Sequence, residues 1–414
     1  VERFLQDGYG TYRSISDAIW ARKRPHWHLL EIEESIALDD VDFRVKGHLK
    51  HEVLTKHPTK ARLIQAHWNE RTAYEFAGEY KAFHLALADC SGLDVVVGRT
   101  QAKVWFAMGM SPTEIANVVG PWENLGWLYE SDGTNWDANI QSEHLRIKLD
   151  VYAGLDPLLY AHAKRWVGRF TGKVLFKDHS FVAYAGSDTV KSGAPDTSSG
   201  NSLMRAELFV RAVSSLGLPW VHVIVMGDDL LACLPHGCSV QEILRAERAF
   251  GVAAKGAGFA HLEQVTFISC TFPALDGGVC MVPLPGRMFA KLGWTIHPIG
   301  LRSRGGYVRA VFRPYQAIFR GFQFFERWIA WHMRVPFVRG LPASQAPKPP
   351  MCTDVGGSPD WAKLWSLRYC GVLPTWKYDH LEPSLAWIVN DPEIIKAIRV
   401  DSVDPEDRLG QAAQ

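Results

Sequence analysis

Two short apolar runs, His222–Met226 and Leu230–Leu234, are separated only by Gly227, Asp228 and Asp229. An apolar run, a Gly-Asp turn and a second apolar run make a hairpin signature. Such a hairpin holds two carboxylates at a tight bend with little freedom. Some ninety residues upstream, Asp132 and Asp137 frame the run Asp-Gly-Thr-Asn-Trp-Asp, directly after the strand-like Leu128–Tyr129. If that strand lies beside the hairpin, Asp132 and Asp228 converge at one spot. Converging carboxylates repel unless a cation neutralises them, and Mg²⁺ bound by a few carboxylates plus substrate phosphates is the usual answer. Two such ions ~3.5–4 Å apart can activate a hydroxyl and stabilise a leaving phosphate oxygen. Taken alone, Gly-Asp-Asp is a weak signal and reads first as a structural turn.

The chain around this feature is globular in character. Its 414 residues allow one large domain or two to three packed subdomains. A hydrophobic share of 47% and a charged share of 21% exclude disorder. No apolar run approaches the ~20 residues of a spanning helix, and the N-terminus lacks a secretory signal. Seven cysteines, an odd and scattered set, suit reduced thiols better than a disulfide framework. The first residue is Val1, which points to a processed or excised piece of something longer.

The net charge of +1 is uninformative, but its distribution is not. Between Arg44 and Arg62 lie six cations (Arg44, Lys46, Lys50, Lys56, Lys60, Arg62) and one carboxylate, Glu52. From Gly286 to Pro350 there are eleven Lys/Arg against the single acid Glu326, interleaved with aromatic residues from Trp294 to Trp331. From Met351 to Gln414 ten acids face six bases. Positive charge gathered into two blocks suits a polyanion partner; solvated helix faces are the plain alternative.

Between the acidic sites, Ser192-Gly193-Ala-Pro-Asp-Thr197-Ser-Ser-Gly200-Asn201 runs into a predicted helix, Asn201–Leu216. Leu203, Met204, Leu208, Ala212 and Leu216 repeat at close to helical spacing, and Gly217 and Pro219 stop it. Thr197 and Asn201 are one turn apart if that segment is helical, so they can point the same way; in isolation the segment reads first as a polar helix N-terminus with a capping Thr or Asn. Val221–Met226 reads as a buried strand, Val240–Lys255 as a second helix, and the proline-rich 340–350 stretch as a connector. Cys233, His236 and Cys238 are three potential zinc ligands without a second pair at a familiar spacing, and read as a loop after the hairpin. His26 and His28 read as packing or surface residues.

The order D-x4-D, S-G-x3-T-x3-N, G-D-D resembles motifs A, B and C of the RNA-dependent RNA polymerases of positive-strand RNA viruses. The flanks extend the likeness. His48-Leu-Lys50-His-Glu52, Lys60-Ala-Arg62 and Gly78-Glu-Tyr80-Lys81 are similar to the fingers and motif F. Gly251-Val-Ala-Ala-Lys255 is similar to motif D, and Val265–Cys270 with Asp276-Gly277 to motif E. The flavour is tombusvirus-like, then nodavirus-like, over roughly residues 44–295. Ala61 stands where the tombusvirus-like proteins commonly have Pro.

The resemblance implies an α+β right hand: fingers over 1–125, palm over 126–150, a fingers insertion over 151–190, palm again over 191–285, and thumb over 286–414. The palm is expected as a small antiparallel sheet backed by the Asn201 and Val240 helices. It implies template-directed RNA synthesis with two Mg²⁺ or Mn²⁺ ions, in which a 3′-hydroxyl attacks the α-phosphate of an NTP. Asp132 and Asp228 are the implied metal ligands, with Asp229 auxiliary. Lys255 is the implied acid that protonates pyrophosphate. Arg62 with Lys60 or Lys56 faces the triphosphate. Asp137, Thr197 and Asn201 face the ribose 2′-hydroxyl, and Ser192 and Gly193 form a loop beside the templating base. Lys50, Arg287, Lys291, Arg302 and Arg304 grip RNA through phosphates. Implied partners are template and nascent RNA, NTPs, and replicase or membrane-anchoring segments outside this chain, at membrane-associated complexes in the host cytoplasm. A reverse transcriptase-like enzyme is the first rival, disfavoured by Met-Gly-Asp-Asp in place of Tyr-x-Asp-Asp. A non-catalytic RNA-binding replicase scaffold is the second, disfavoured by the intact acids.

Overall fold

The computed structural model describes residues 1–23, 44–49, 63–67, 70–164, 167–176, 179–291, 303–334, 357–375 and 391–403. Lys50, Lys56, Lys60, Arg62, Arg302, His26, His28, Trp294, Cys352 and the 340–350 connector lie outside the described residues. The chain is mixed α+β and divides into two compact units. The first comprises Val1–Lys50, Lys60–Met110 and Ser131–Gly256; the second comprises His51–Thr59, Ser111–Glu130 and Ala257–Gln414.

The longer strands are β1 (Arg44–Leu49), β2 (Leu63–His67), β3 (Leu93–Val97), β4 (Thr100–Phe106), β5 (Trp127–Gly133), β6 (Arg169–Leu175), β7 (Phe181–Ser187), β8 (Trp220–Met226), β9 (Asp229–Leu234) and β10 (Ala254–Phe259). Six of them form one sheet in the order β10-β5-β9-β8-β4-β3, and four form another in the order β2-β1-β6-β7. β8 and β9 are the expected hairpin. They pair antiparallel with Met226 opposite Asp229, which leaves Gly227-Asp228 as a two-residue turn. The six-stranded sheet is not the purely antiparallel one expected: β4 runs parallel to β8, with Gln101 opposite Trp220. The sequence between them includes several helices, and a parallel pair needs such a long crossover.

Gly227 sits at the first turn position with φ +64, where L-residues are strained. A Cβ there would meet nothing within 4 Å, so the cost of adding one is purely backbone strain. Gly227→Ala is therefore expected to lower stability by about 1 kcal/mol. An unshifted urea midpoint would contradict the turn geometry.

The helix after the Ser192–Asp196 loop runs Thr197–Ser215, one turn earlier than its apolar repeat indicates. It packs on β8, β4 and β3 and against the helices Ser142–Leu155 and Val240–Ala249. It is buried on nearly all sides, from Ser199 to Ala206 without a break, as a helix enclosed by sheet and neighbours must be. The helix expected over Val240–Lys255 stops at Ala249. Gly251 takes φ +77, its N–H donates to the Arg248 carbonyl at 2.9 Å, and Val252 N–H donates to the Glu247 carbonyl at 3.0 Å. That is a glycine C-terminal stop, and Lys255 consequently lies on β10.

At the start of the first unit, buried Phe4, Gly8, Tyr12 and Ser16 recur every four residues on the helix Glu2–Lys23. This stripe packs on the helix Glu70–Asp89, where buried Glu79 accepts from Tyr12 at 2.6 Å and from Ser16 at 2.9 Å.

In the second unit, several aromatic residues of the basic block are core. Phe312, Phe319, Phe322, Phe324, Phe325 and Trp328 are buried. Phe319 stacks on Trp361 with centroids 5.0 Å apart, and Phe322 meets Trp365 at 5.2 Å. Arg304, Arg313, Arg320, Arg327 and Arg334 on the same segments are exposed. The C-terminal helix Pro392–Ser402 packs on the helix Pro285–Lys291. Short ribbons β11 (Cys270–Thr271), β12 (Ala274–Leu275), β13 (Gly278–Val279) and β14 (Val282–Pro283) pair 11 with 14 and 12 with 13. Among the described residues, no helix is long and apolar enough to cross a membrane, and Cys90, Cys233, Cys238, Cys270, Cys280 and Cys370 are free thiols.

Candidate active site

Asp132 is exposed near the end of β5, between buried Ser131 and Gly133. In the sheet β5 lies next to β9, the strand that Asp229 opens. Asp228 is half-buried in the turn just before it. Its carboxyl is pushed up to about 6, first by burial and then by the negative charge of Asp132. Asp137 pushes the same way more weakly, while a backbone hydrogen bond and Arg205 oppose the shift. Three carboxylates from two distant sequence segments therefore lie within electrostatic reach of one another. The hairpin turn is anchored from behind: Gly227 N–H donates to Ser202 Oγ at 2.7 Å, and that hydroxyl donates to the Ser198 carbonyl at 2.8 Å.

Asn201, buried on the same helix, donates from Nδ2 to Asp137 Oδ1 at 3.0 Å. The carboxylate that ends the first acidic run thus meets the last residue of the Ser-Gly run. The Oδ1 atom of Asn201 is also buried, and accepts no hydrogen bond among the described residues. Thr197 does not join this pair. Its hydroxyl reaches the carbonyls of Lys191 at 2.9 Å and Ala194 at 2.8 Å, closing the loop that exposes Ser192 and half-exposes Gly193. Lys255 is half-buried on β10, the neighbour of β5, and is no helix-end lysine.

Arg287, Lys291 and Arg304 belong to the second unit. Arg287 donates to Ser269 Oγ at 2.6 Å, while Lys291 and Arg304 are exposed.

Several residues that sequence reasoning passed over support the acids. Arg205 is fully buried and donates to the Asp228 carbonyl at 3.3 Å, to Ser131 Oγ at 2.5 Å and to Glu247. Asp196, buried in the loop, accepts from Lys148 at 2.8 Å and from Tyr152 at 2.7 Å. Burial acts to raise the Asp196 pKa, but Lys148 and Tyr152 outweigh it and hold it below the usual carboxylate value. Neighbouring Lys191 is pushed down to about 8 by burial and by the Lys148 charge. A signal existed for Arg205: a lone cation in the run Leu203-Met-Arg-Ala206 of a buried helix requires a partner.

Among the described residues, no group of three or more His, Cys, Asp and Glu side chains is gathered so as to hold a metal ion. The donor chemistry nevertheless fits a hard cation. Mg²⁺ is commonly held by one or two carboxylates together with substrate phosphates and water, without an all-protein cage. A carboxyl driven toward neutrality by burial and like charge is one that a divalent cation would restore to its ionised form. A scan against protein-family models gives no match, and a search of curated proteins gives none either.

Proposed function

We propose that the chain is a template-directed RNA polymerase of the positive-strand RNA virus type, its six-stranded sheet with the flanking helices serving as palm. The observation that carries this reading is the placement of Asp132 near the end of β5, the strand beside β9 and its Asp228 turn, with Asp137 bonded to Asn201 at 3.0 Å. The ordered motifs add the substrate class, since shared architecture alone would not.

Asp132 and Asp228, with Asp229 beside them, would hold Mg²⁺ or Mn²⁺. Bound there, the ions supply activation of the 3′-hydroxyl and charge stabilisation at the transferring phosphate. The rest of the work belongs to the chain. Phosphoryl transfer asks mainly for positioning and fixed charge. Asp137 and Asn201 hold each other side by side, and Asn201 Oδ1, buried and without a partner among the described residues, would accept a hydrogen bond from a sugar hydroxyl. A 2′-deoxy substrate would leave that buried acceptor unpaired, which is how a polar site rejects an analogue lacking one hydroxyl. Thr197 and Asp196 hold the Ser192-Gly193 loop closed beside this pair. Lys255 donates a proton to the departing pyrophosphate. Lys56, Lys60 and Arg62 would neutralise the triphosphate, and Lys50 and the second unit's Arg287, Lys291 and Arg304 would hold RNA phosphates.

The test is extension of an annealed RNA primer on a homopolymer template, with NTP and dNTP supplied separately. Preference for dNTP would favour a reverse transcriptase-like enzyme, and RNA binding without extension would favour a scaffold. Asn201→Ala is expected to relax the NTP over dNTP preference by about tenfold or more, with a smaller loss in NTP incorporation. Unchanged discrimination in single-nucleotide assays would remove Asn201 from sugar selection.

A further inference from the structure

The polymerase reading gives Arg205 no role, yet every edge of its guanidinium is engaged. It lies one turn beyond Asn201 on the helix Thr197–Ser215 and has no solvent-exposed surface. Its three nitrogen edges go to three different elements. Nε donates to the carbonyl of Asp228 in the hairpin turn at 3.3 Å. Nη2 donates to Ser131 Oγ, the residue before Asp132, at 2.5 Å. Nη1 pairs with Glu247, itself buried, on the helix Val240–Ala249. The rings of Trp136 and Phe209 lie 5.5 and 5.9 Å from the guanidinium carbon. Trp136 belongs to the same short turn as Asp137.

A buried ion pair is a poor way to stabilise a core, because well-packed apolar residues often do as well or better. What the guanidinium offers is a rigid planar fork of donors at fixed angles, which a Met or a Lys cannot supply. We propose that Arg205 is a positioning residue that sets the spacing between the Asp132 and Asp228 segments, by gripping Ser131 and the Asp228 backbone from one guanidinium. Glu247 and the flanking rings hold that guanidinium in its orientation. This rests on the polymerase reading for its purpose, but its geometry stands apart from the identity of the substrate. Partners that orient metal ligands from behind commonly affect affinity as strongly as this assignment requires.

The experiment compares Arg205→Lys and the double variant Arg205→Met, Glu247→Met with the unaltered chain. Folding is followed by thermal melting, Mn²⁺ binding by electron paramagnetic resonance without RNA or nucleotide, and turnover by single-nucleotide extension. Arg205→Lys keeps the charge and the Glu247 pair but loses the fork. The double variant removes both charges, so it leaves no unpaired charge in the core, while Ser131 Oγ and the Asp228 carbonyl lose their donor. Both are expected to melt cooperatively, to bind Mn²⁺ about ten- to a hundredfold more weakly, and to lose kcat with little change in the KM for NTP. A merely structural Arg205 would show its loss in melting temperature alone. Unaltered Mn²⁺ affinity and kcat in either folded variant would overturn the proposal. An unaltered chain that binds Mn²⁺ but does not extend RNA would sink the polymerase reading alone, and the variants' Mn²⁺ affinities would still decide the role of Arg205.

Discussion

Asp228→Asn is expected to abolish nucleotide addition and, at neutral pH, to make the protein more stable. The activity loss should reach about 100- to 1,000-fold or more, the scale on which one preorganised charged group contributes to a transition state. RNA binding should survive, because the cations proposed to hold its phosphates lie elsewhere in the sequence. The stability gain follows from the pKa. Burial and the charge of Asp132 raise the Asp228 carboxyl from 3.8 to about 6 in the folded chain. A raised folded-state value means that the native protein holds this proton more tightly than the unfolded chain does. The resulting stability is fully present below pH 3.8 and is lost as the pH rises through about 6. Above that, the ionised carboxylate burdens the native state. A shift of this size in a half-buried group corresponds to about 1–2 kcal/mol after solvent screening. The amide of the variant carries no charge, so its melting temperature should exceed that of the unaltered protein by a few degrees at pH 8, and the gap should close by about pH 4. Added Mn²⁺ should reverse the order by stabilising the unaltered protein alone. Melting curves at the two pH values, with and without Mn²⁺, check every step. A variant that is inactive and also less stable at pH 8 would mean that Asp228 is a structural residue.

The features that were legible in the sequence are those fixed by local chemistry. The β8–β9 hairpin needed only two apolar runs and a Gly-Asp turn, and Met226 faces Asp229 as that turn requires. The convergence of Asp132 on Asp228 was readable as a condition on strand order, and β5 does lie beside β9. The parallel pairing of β4 with β8 was not readable, because it joins residues more than a hundred positions apart, with no turn signal to specify the partner. The Val240 helix ends at Ala249, short of the Lys255 that composition indicates, because Val252, Ala253 and Ala254 suit a helix but the left-handed Gly251 stops it. Arg205 carries no local signal of its role beyond the need for a partner, because it lies outside the Ser-Gly run in a helix whose neighbours are core residues. Its buried partners, Ser131 and Glu247, are 74 and 42 residues away. The acid-rich stretch from Met351 onward shows the same limit of counting along the chain. Counted along the chain it is a surplus of negative charge, but Asp401 within it is buried and holds a salt bridge.

Arg368→Met is expected to cost the second unit about 3–5 kcal/mol, the usual penalty for stripping one partner from a buried ion pair. Arg368 and Asp401 are bonded at 2.9 Å, with side chains 1% and 0% exposed. The arginine also donates to the carbonyls of Glu263, Gln264 and Val265 and to Thr266 Oγ1, at 3.4, 2.8, 3.0 and 2.8 Å. Asp401 in turn accepts from Tyr369 and from Gly286 N–H, both at 2.8 Å. One guanidinium and one carboxylate thus tie together the helices Trp361–Tyr369, Pro285–Lys291 and Pro392–Ser402 and the segment leading to β11. Gly286 is tightly placed in this arrangement, since a Cβ there would lie 2.0 Å from the Ala397 carbonyl oxygen. Removing Arg368 strands a buried charge and deprives three consecutive carbonyls of a donor, so the loss should exceed that of the ion pair alone. Arg368→Met combined with Asp401→Asn neutralises the stranded charge but restores no donor to the carbonyls. It should therefore recover only part of the loss. Arg304→Ala, at an exposed position, should stay within about 0.5 kcal/mol of the unaltered chain. Urea unfolding of the four proteins separates these cases. A midpoint for Arg368→Met equal to that of Arg304→Ala would show that the second unit does not depend on this pair, and full recovery in the double variant would show that the carbonyls of residues 263–265 never needed the arginine.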